Sequence, residues 1–406
     1  MTGPRRTAEL PVRAAHLGLG AFHRAHQAWY THTANNAQAP DEGWGIAAFT
    51  GRSPEAALRL AAQDGVYTLL TRSAQGDEVE VVQSIVRAAS GADDAAWLGV
   101  LADPAVALLT VTVTEPGYGH AAGPPARIAQ GLAARRAAGA GPLAVVSCDN
   151  LLGNGRLLRD AVLANAGGDA GWIAENVSFV DTVVDRITPA AAPEDRETVR
   201  RLTGVDDAAA VVTEPFSEWV LAGAFPAGRP SWELVGARFV ADVRPYEERK
   251  LWMLNAAHSV LASAGRLRGF STIAEAFGDP ALRALAEALW HEHGEVVDLP
   301  ASELAPWLAD LRRRFDNPRI AHRLDQIRRD SPSKIPQRII APAGRRQAAG
   351  LDVGEAQREA LELWIQDLVT LEPTDEASAV LSRDLGALPP TERVEAVLIG
   401  LATERA

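Results

Sequence analysis

Residues 13–23, Arg13-Ala-Ala-His16-Leu-Gly18-Leu-Gly20-Ala21-Phe22-His23, decide the fold. A short, largely apolar run at 13–18 ends in two glycines one residue apart, and a helical pattern follows from about Phe22 to Asn35. A buried strand that turns straight into a helix is the opening unit of a doubly wound α/β sheet. The glycines permit a tight turn and let backbone N–H groups approach a pyrophosphate at the helix N-terminus. His23 stands where the dinucleotide fingerprint has its third glycine, so the fragment alone also fits a turn with no ligand.

Apolar runs at 45–49, 107–114, 143–148 and 177–184 read as further strands buried on both faces. Segments 54–62, 125–138 and 155–165 read as the helices between them. Alternation of this kind predicts a mainly parallel sheet. Residues 66–70 and 78–86 form a second pair of strand patterns, expected as an antiparallel excursion from it. From Arg244 the texture becomes helical, interrupted by prolines. The expected division is a nucleotide domain at 1–244 and a mostly helical domain at 245–406, with 340–354 as a surface loop.

At 406 residues the chain is long enough for two domains, and 47% hydrophobic with 23% charged residues suits an ordinary globular interior. A formal charge of -12 argues against nucleic acid and anionic lipid as partners. No apolar stretch of about 18 residues occurs and no apolar core follows the polar N-terminus, so a cytoplasmic protein is expected. The single cysteine, Cys148, excludes an internal disulfide and a cysteine-based metal site; at the end of an apolar strand it reads as a core residue. His291 and His293 are only two residues apart, and no metal site is expected.

Of the 40 basic residues only Lys250 and Lys334 are lysines. Arginine stays protonated, whereas a lysine can be pushed toward neutrality and accept a proton, which makes both lysines site candidates. Lys250 lies in Arg244-Pro-Tyr-Glu247-Glu-Arg-Lys250-Leu-Trp-Met-Leu-Asn255-Ala-Ala-His258. On an α-helix, Glu247, Lys250, Asn255 and His258 fall within an arc of about 140°, interleaved with Leu251, Leu254 and Leu261. That face offers a base and oxyanion donors for hydride transfer from an alcohol, or a set of buried polar groups with structural partners. Ser147-Cys148-Asp149-Asn150 with Asn154 ends a strand at the sheet's carboxyl edge, as a site or as a turn and helix cap. No carboxylate ends the second strand; Arg52 and Ser53 there leave NADP open beside NAD.

These pieces resemble the polyol-specific long-chain dehydrogenases, the family of mannitol 2-dehydrogenase and the fructuronate and tagaturonate reductases. The resemblance rests on His16 to Gln27, Gln63-Asp-Gly-Val-Tyr-Thr68, Thr112-Val-Thr-Glu115, Ser147 to Asn150 with Asn154-Gly155, Val184-Asp-Arg-Ile-Thr-Pro189, Glu214-Pro-Phe-Ser217 and Lys250-x4-Asn255-x2-His258. It implies a Rossmann-like domain joined to a helical one, and a metal-independent oxidoreductase using NAD. Lys250 matches the catalytic lysine, and Asn255 and Asn150 the amides that donate to the substrate oxygen. His258 matches a substrate-orienting residue, Glu247 one that governs proton flow, and Asp185 a polar substrate contact. Gly18, Gly20, Ala21, Phe22, Arg52 and Glu115 are the implied cofactor contacts.

Asp330-Ser-Pro-Ser-Lys334-Ile-Pro-Gln-Arg338 resembles a motif of the hexuronate branch, in which Lys334 and Arg338 could grip a carboxylate; an interdomain ion pair is the plain alternative for Lys334. The chain departs from the family at Pro116, at Ser331 and Pro332, and in a shorter segment before Arg135. The expected partner is therefore a polyol or sugar acid, with D-mannonate/D-fructuronate favoured over mannitol/fructose or arabinitol. The expected assembly is a monomer or homodimer. A nucleotide-binding regulatory protein is the alternative of another class.

Overall fold

The computed structural model describes residues 3–51, 53–113, 115–118 and 123–403, which form two compact units, 1–244 and 245–406. Short runs of small and β-branched residues make the strands of the first unit. They are β1 (Val12–Leu17), β2 (Gly45–Phe49), β3 (Tyr67–Arg72), β4 (Asp77–Val82), β5 (Ile85–Ala89) and β6 (Leu108–Val111), then β7 (Leu143–Ser147), β8 (Val177–Asp185), β9 (Val211–Thr213), β10 (Glu218–Ala222) and β11 (Arg238–Phe239). Eight of them form one sheet in the order β11-β10-β8-β7-β6-β1-β2-β5. The six from β5 to β8 run parallel, in the strand order of a dinucleotide-binding sheet, and β10 joins antiparallel to β8.

Alternating side chains serve two cores. Ala14, Ile46, Ala48, Leu108, Ala144 and Val146 face one helix layer. Ala15, Ala47, Phe49, Leu109, Val111 and Val145 face the other. The excursion is present as β3 and β4, antiparallel, with β9 beside β3. Residues 85–89 rejoin the main sheet as β5.

The helix expected over 22–35 is two helices, α1 (Ala21–Ala25) and α2 (Gln27–Ala37), broken at His26, whose φ of -122° and ψ of -91° are not helical. His23 explains how the chain dispenses with the third glycine. Its ring stacks on that of His16 in β1, centroids 3.3 Å apart and 11° from parallel, with both side chains fully buried.

The second unit is helical, and among the described residues no strand follows Phe239. Its core gathers Ala256, Val260, Leu289, Ile339, Leu361 and Trp364 around the helix Ala256–Leu267. The loop expected at 340–354 is instead a helix over Ala341–Ala348. It continues directly from the helical turn Pro336–Ile340, and buried Pro342 and Ala343 anchor it.

The stretch 244–267 departs most from expectation. It is α-helical over Arg244–Arg249, a π-helix over Lys250–Asn255 and α-helical again from Ala256, so one uniform helical wheel does not describe it. Among the described residues no helix is long and apolar enough to cross a membrane.

Candidate active site

In the first unit the carboxyl ends of β1, β2, β6 and β7 carry the turn and loops that the sequence singles out. Gly18 has φ +109°, a conformation that disfavours other residues, and a β-carbon there would lie 2.2 Å from the carbonyl oxygen of Thr112. Its N–H and that of Leu19 both donate to the carbonyl of Phe49 at 2.9 Å, tying the turn to the end of β2. Gly20 caps α1, and a β-carbon there would meet only the carbonyl oxygen of Gly18, at 3.6 Å.

The turn opens on a cavity of about 620 Å³ bordered by Leu19, Gly20, Ala21, Thr50, Ser53 and Glu55. This space and the bare Gly20 backbone fit the pyrophosphate and adenosine half of a dinucleotide. Phe22 lies beside the cavity-lining residues and stacks on His26 with centroids 5.1 Å apart. Arg52 and the side chain of Glu115 lie outside the described residues, as do residues 119–122 of the shortened segment. Sequence reading missed Glu55: no acid ends β2, but this one borders the cavity from the next helix, Glu55–Ala61, and pairs with Arg59 at 3.1 Å.

Asn150 is exposed just beyond β7, in a loop held by its neighbours. Asn154 donates to the carbonyls of Asp149 and Thr182, each at 3.0 Å, and accepts from the Thr182 N–H at 2.9 Å, which stitches the loop to β8. It is not a helix cap: Gly153 takes that position, with no side-chain bond. The Asp149 carboxylate accepts from Ser147 Oγ at 2.9 Å and from the Tyr118 hydroxyl, joining the segment after β6 to the loop after β7. Burial raises the pKa of both Asp149 and Tyr118. No pattern of spacing marks Tyr118 as the partner of Asp149. Asp185 is buried at the end of β8, and Cys148 is buried with its thiol pushed up by desolvation.

In the second unit Lys250 and Asn255 are the first and last residues of the π-helix. Five residues are about 140° apart on an α-helix; bonding from i to i+5 winds less per residue and brings them toward one line. Glu247, buried, precedes Lys250 on the α-helical turn. His258 follows Asn255 by three residues and is 6% exposed, its ring 4.6 Å from His322 and 4.7 Å from Phe315. Its Nε2 has no hydrogen-bond partner among the described residues. Burial holds it well below the usual imidazole range, with His322, Arg314 and Arg338 pushing the same way, so the ring is neutral at pH 7.

Arg338 lies in a second π-helix, Pro336–Ile340, and its Nη1 donates to the Asn255 carbonyl at 3.2 Å and to Ser259 Oγ at 2.8 Å. Desolvation lowers its pKa to about 10. Lys334 donates from Nζ to the carbonyls of Ile327, at 3.3 Å, and Arg329, which close the helix Leu324–Arg328. Burial and the neighbouring Arg338 lower its pKa. His293 binds the Trp252 carbonyl through Nδ1 at 2.5 Å, and among the described residues no three His, Cys, Asp or Glu side chains cluster in a way that could hold a metal.

Fold and glycine turn together define a protein with a Rossmann-type, dinucleotide-binding domain followed by a helical one. The chain belongs to the mannitol dehydrogenase family, matching its Rossmann domain over residues 12–234 and its C-terminal domain over residues 242–357. It is 38% identical over 367 residues to the D-mannonate oxidoreductase of Escherichia coli, covering 82% of this chain and 75% of that one. It is 40% identical over 363 residues to the D-arabinitol 4-dehydrogenase of Ralstonia nicotianae, covering 80% and 77%. The solved mannitol 2-dehydrogenase of Pseudomonas fluorescens, in a ternary complex with NAD and D-mannitol, superposes with a TM-score of 0.81 at 31% identity, over 100% of this chain and 94% of that one.

Proposed function

We propose that this oxidoreductase interconverts a secondary alcohol of an open-chain sugar acid and the corresponding keto acid, of the D-mannonate/D-fructuronate type, with Lys250 as the proton-transferring group. The observation that carries the reading is the π-helix, which brings the base Lys250 and the amide Asn255 toward one line. The other lysine, Lys334, donates to two helix-end carbonyls.

The cofactor is NAD; held at the turn of Gly18 and Gly20, it would supply the acceptor for the hydride, with its electron pair, from the alcohol carbon. In its neutral form Lys250 takes the hydroxyl proton, and returns it in the reverse direction. Asn255 and Asn150 donate to the oxygen as charge develops, His258 orients the substrate, and Glu247 passes protons between Lys250 and water. Asp185 is a further polar contact to the substrate.

Support for an acidic substrate comes from Arg338, a largely desolvated guanidinium that bonds through Nη1 alone among the described residues, and from the likeness to a D-mannonate oxidoreductase. Among the described residues Lys334 gives two of its three donors to helix-end carbonyls, so its share in that anchor is small beside that of Arg338. The comparable likeness to a D-arabinitol 4-dehydrogenase supports a neutral polyol as the second reading.

The test is reduction of fructuronate, tagaturonate and fructose by the purified chain with NADH and with NADPH. Lys250→Ala is expected to lower kcat by about 10²- to 10⁴-fold. Near-normal turnover by that variant rejects the mechanism, and turnover of fructose in preference to both uronates rejects the sugar-acid reading.

A further inference from the structure

The π-helix that carries Lys250 has an incomplete backbone ladder. In an α-helix the N–H of Ala256 would bond to the carbonyl of Trp252. Here it bonds to the carbonyls of Leu251, five residues back, and Met253, three back, so the Trp252 carbonyl is bypassed. Leaving a buried carbonyl without a partner is costly, so a wide turn of this kind persists only where something else donates.

His293 does so for the bypassed carbonyl, and two more side chains from distant parts of the chain donate to carbonyls of the same turn. His293 Nδ1 lies 2.5 Å from the Trp252 carbonyl, Trp290 Nε1 donates to that of Met253 at 3.1 Å, and Arg338 Nη1 donates to that of Asn255 at 3.2 Å. Trp290 and His293 lie one turn apart on the helix Pro280–Gly294, with 1% and 0% exposure. Bonding to a carbonyl fixes the tautomer of His293 with its proton on Nδ1.

We propose that Trp290, His293 and Arg338 are positioning residues that clamp the π-turn open and thereby set the line on which Lys250 and Asn255 meet the substrate. His293 is the centre of the clamp, because its acceptor is the carbonyl that the helix itself bypasses. Without that donor the Ala256 N–H can take the Trp252 carbonyl, the turn relaxes to α-helix, and Asn255 rotates away from Lys250. The proposal rests on the reading of Lys250 as the acid/base group.

The experiment compares His293→Leu, which removes the donor, with His293→Asn, whose amide nitrogen can stand near the position of Nδ1. Trp290→Phe serves as an independent donor deletion that keeps an aromatic ring, and Lys250→Ala as the control. His293→Leu is expected to lower kcat about 10- to 100-fold, the scale of a misplacement near 1 Å. The KM for NADH stays within about 3-fold of the native value, because the dinucleotide turn belongs to the other unit; the pH at half-maximal kcat moves; and His293→Asn restores most of the loss. A crystal structure of His293→Leu shows residues 250–256 with α-helical bonding.

A folded His293→Leu enzyme with native kcat, native pH profile and an intact π-turn overturns the clamp. So does a loss confined to thermal stability. If His293→Leu does not accumulate, Trp290→Phe and His293→Asn give the answer through the same measurements: a native kcat and pH profile in Trp290→Phe overturns the clamp, and so does a kcat for His293→Asn more than about 10-fold below native. Lys250→Ala with near-normal turnover rejects the assignment of Lys250 instead, whatever the clamp variants do.

Discussion

Thr112 donates its hydroxyl to the carbonyl oxygen of Gly18 at 2.8 Å, so the end of β6 holds the turn after β1. The contact leaves no room for a side chain. Gly18→Ala would place a methyl 2.2 Å from the Thr112 carbonyl oxygen, on a backbone at φ +109°. The expected result is a stability loss of at least about 2 kcal/mol and at least a tenfold weaker affinity for NADH, read by denaturant midpoint and nicotinamide fluorescence. Native affinity in the folded variant would show that the turn does not hold the cofactor.

Acid should unfold this protein early. Burial holds His16 at about 3 and His293 at about 4, so both stay neutral in the folded chain, while the unfolded chain protonates them near pH 6.5. Protons then favour the unfolded state: the stability is present above pH 6.5 and is lost as pH falls toward 4 and 3. By pH 5.5 each imidazole costs about 1.4 kcal/mol. These two give about 3 kcal/mol, and His23, His258 and His322, lowered by burial as well, add in the same direction, so urea unfolding at pH 7.5 and 5.5 is expected to differ by at least about 3 kcal/mol. An unchanged midpoint would mean that the buried rings take up protons without cost.

Lys334 and Arg338 should separate under substitution, because the first already holds a helix end and the second, among the described residues, is bonded through one nitrogen. Lys334→Met is expected to cost about 1 kcal/mol of stability and to change KM for fructuronate less than about 3-fold. Arg338→Met should raise that KM at least about 10-fold, while on fructose, which has no carboxylate, it lowers kcat alone. Steady-state kinetics on both substrates checks this; equal KM changes on the two would remove Arg338 as the anion anchor.

The parts of the fold that were legible are those whose residues state their burial. Gly45–Phe49 and Leu143–Ser147 are continuous apolar runs between turn residues, and each is a fully buried central strand. The helix Pro193–Thr203 was missed because only Asp195 and Val199 are buried on it, so its apolar stripe is nearly absent. Helix Ala341–Ala348 reads as a loop because its proline, glycine and alanines resemble one; buried Pro342, Ala343 and Arg346, not propensity, hold it. Glu55 was overlooked because the acid was sought at the end of β2 and not in the following helix. The spacing of Lys250, Asn255 and His258 singled them out as candidates, but the π-turn beneath them was invisible. Its donors lie 37, 41 and 83 residues from the carbonyls they satisfy, and a helical wheel has no place for such partners.

The imidazole pair His16–His23 bears on how dinucleotide turns are found. A glycine at the third position of the fingerprint matters because it sets how near a helix can come to the strand beneath it. Here two flat rings 3.3 Å apart fill that gap as plates. The requirement is thus a thickness between two backbones and not a residue type. A pattern that insists on glycine passes over chains like this one, whereas a pattern that accepts a second aromatic ring whenever the strand supplies the first recovers them.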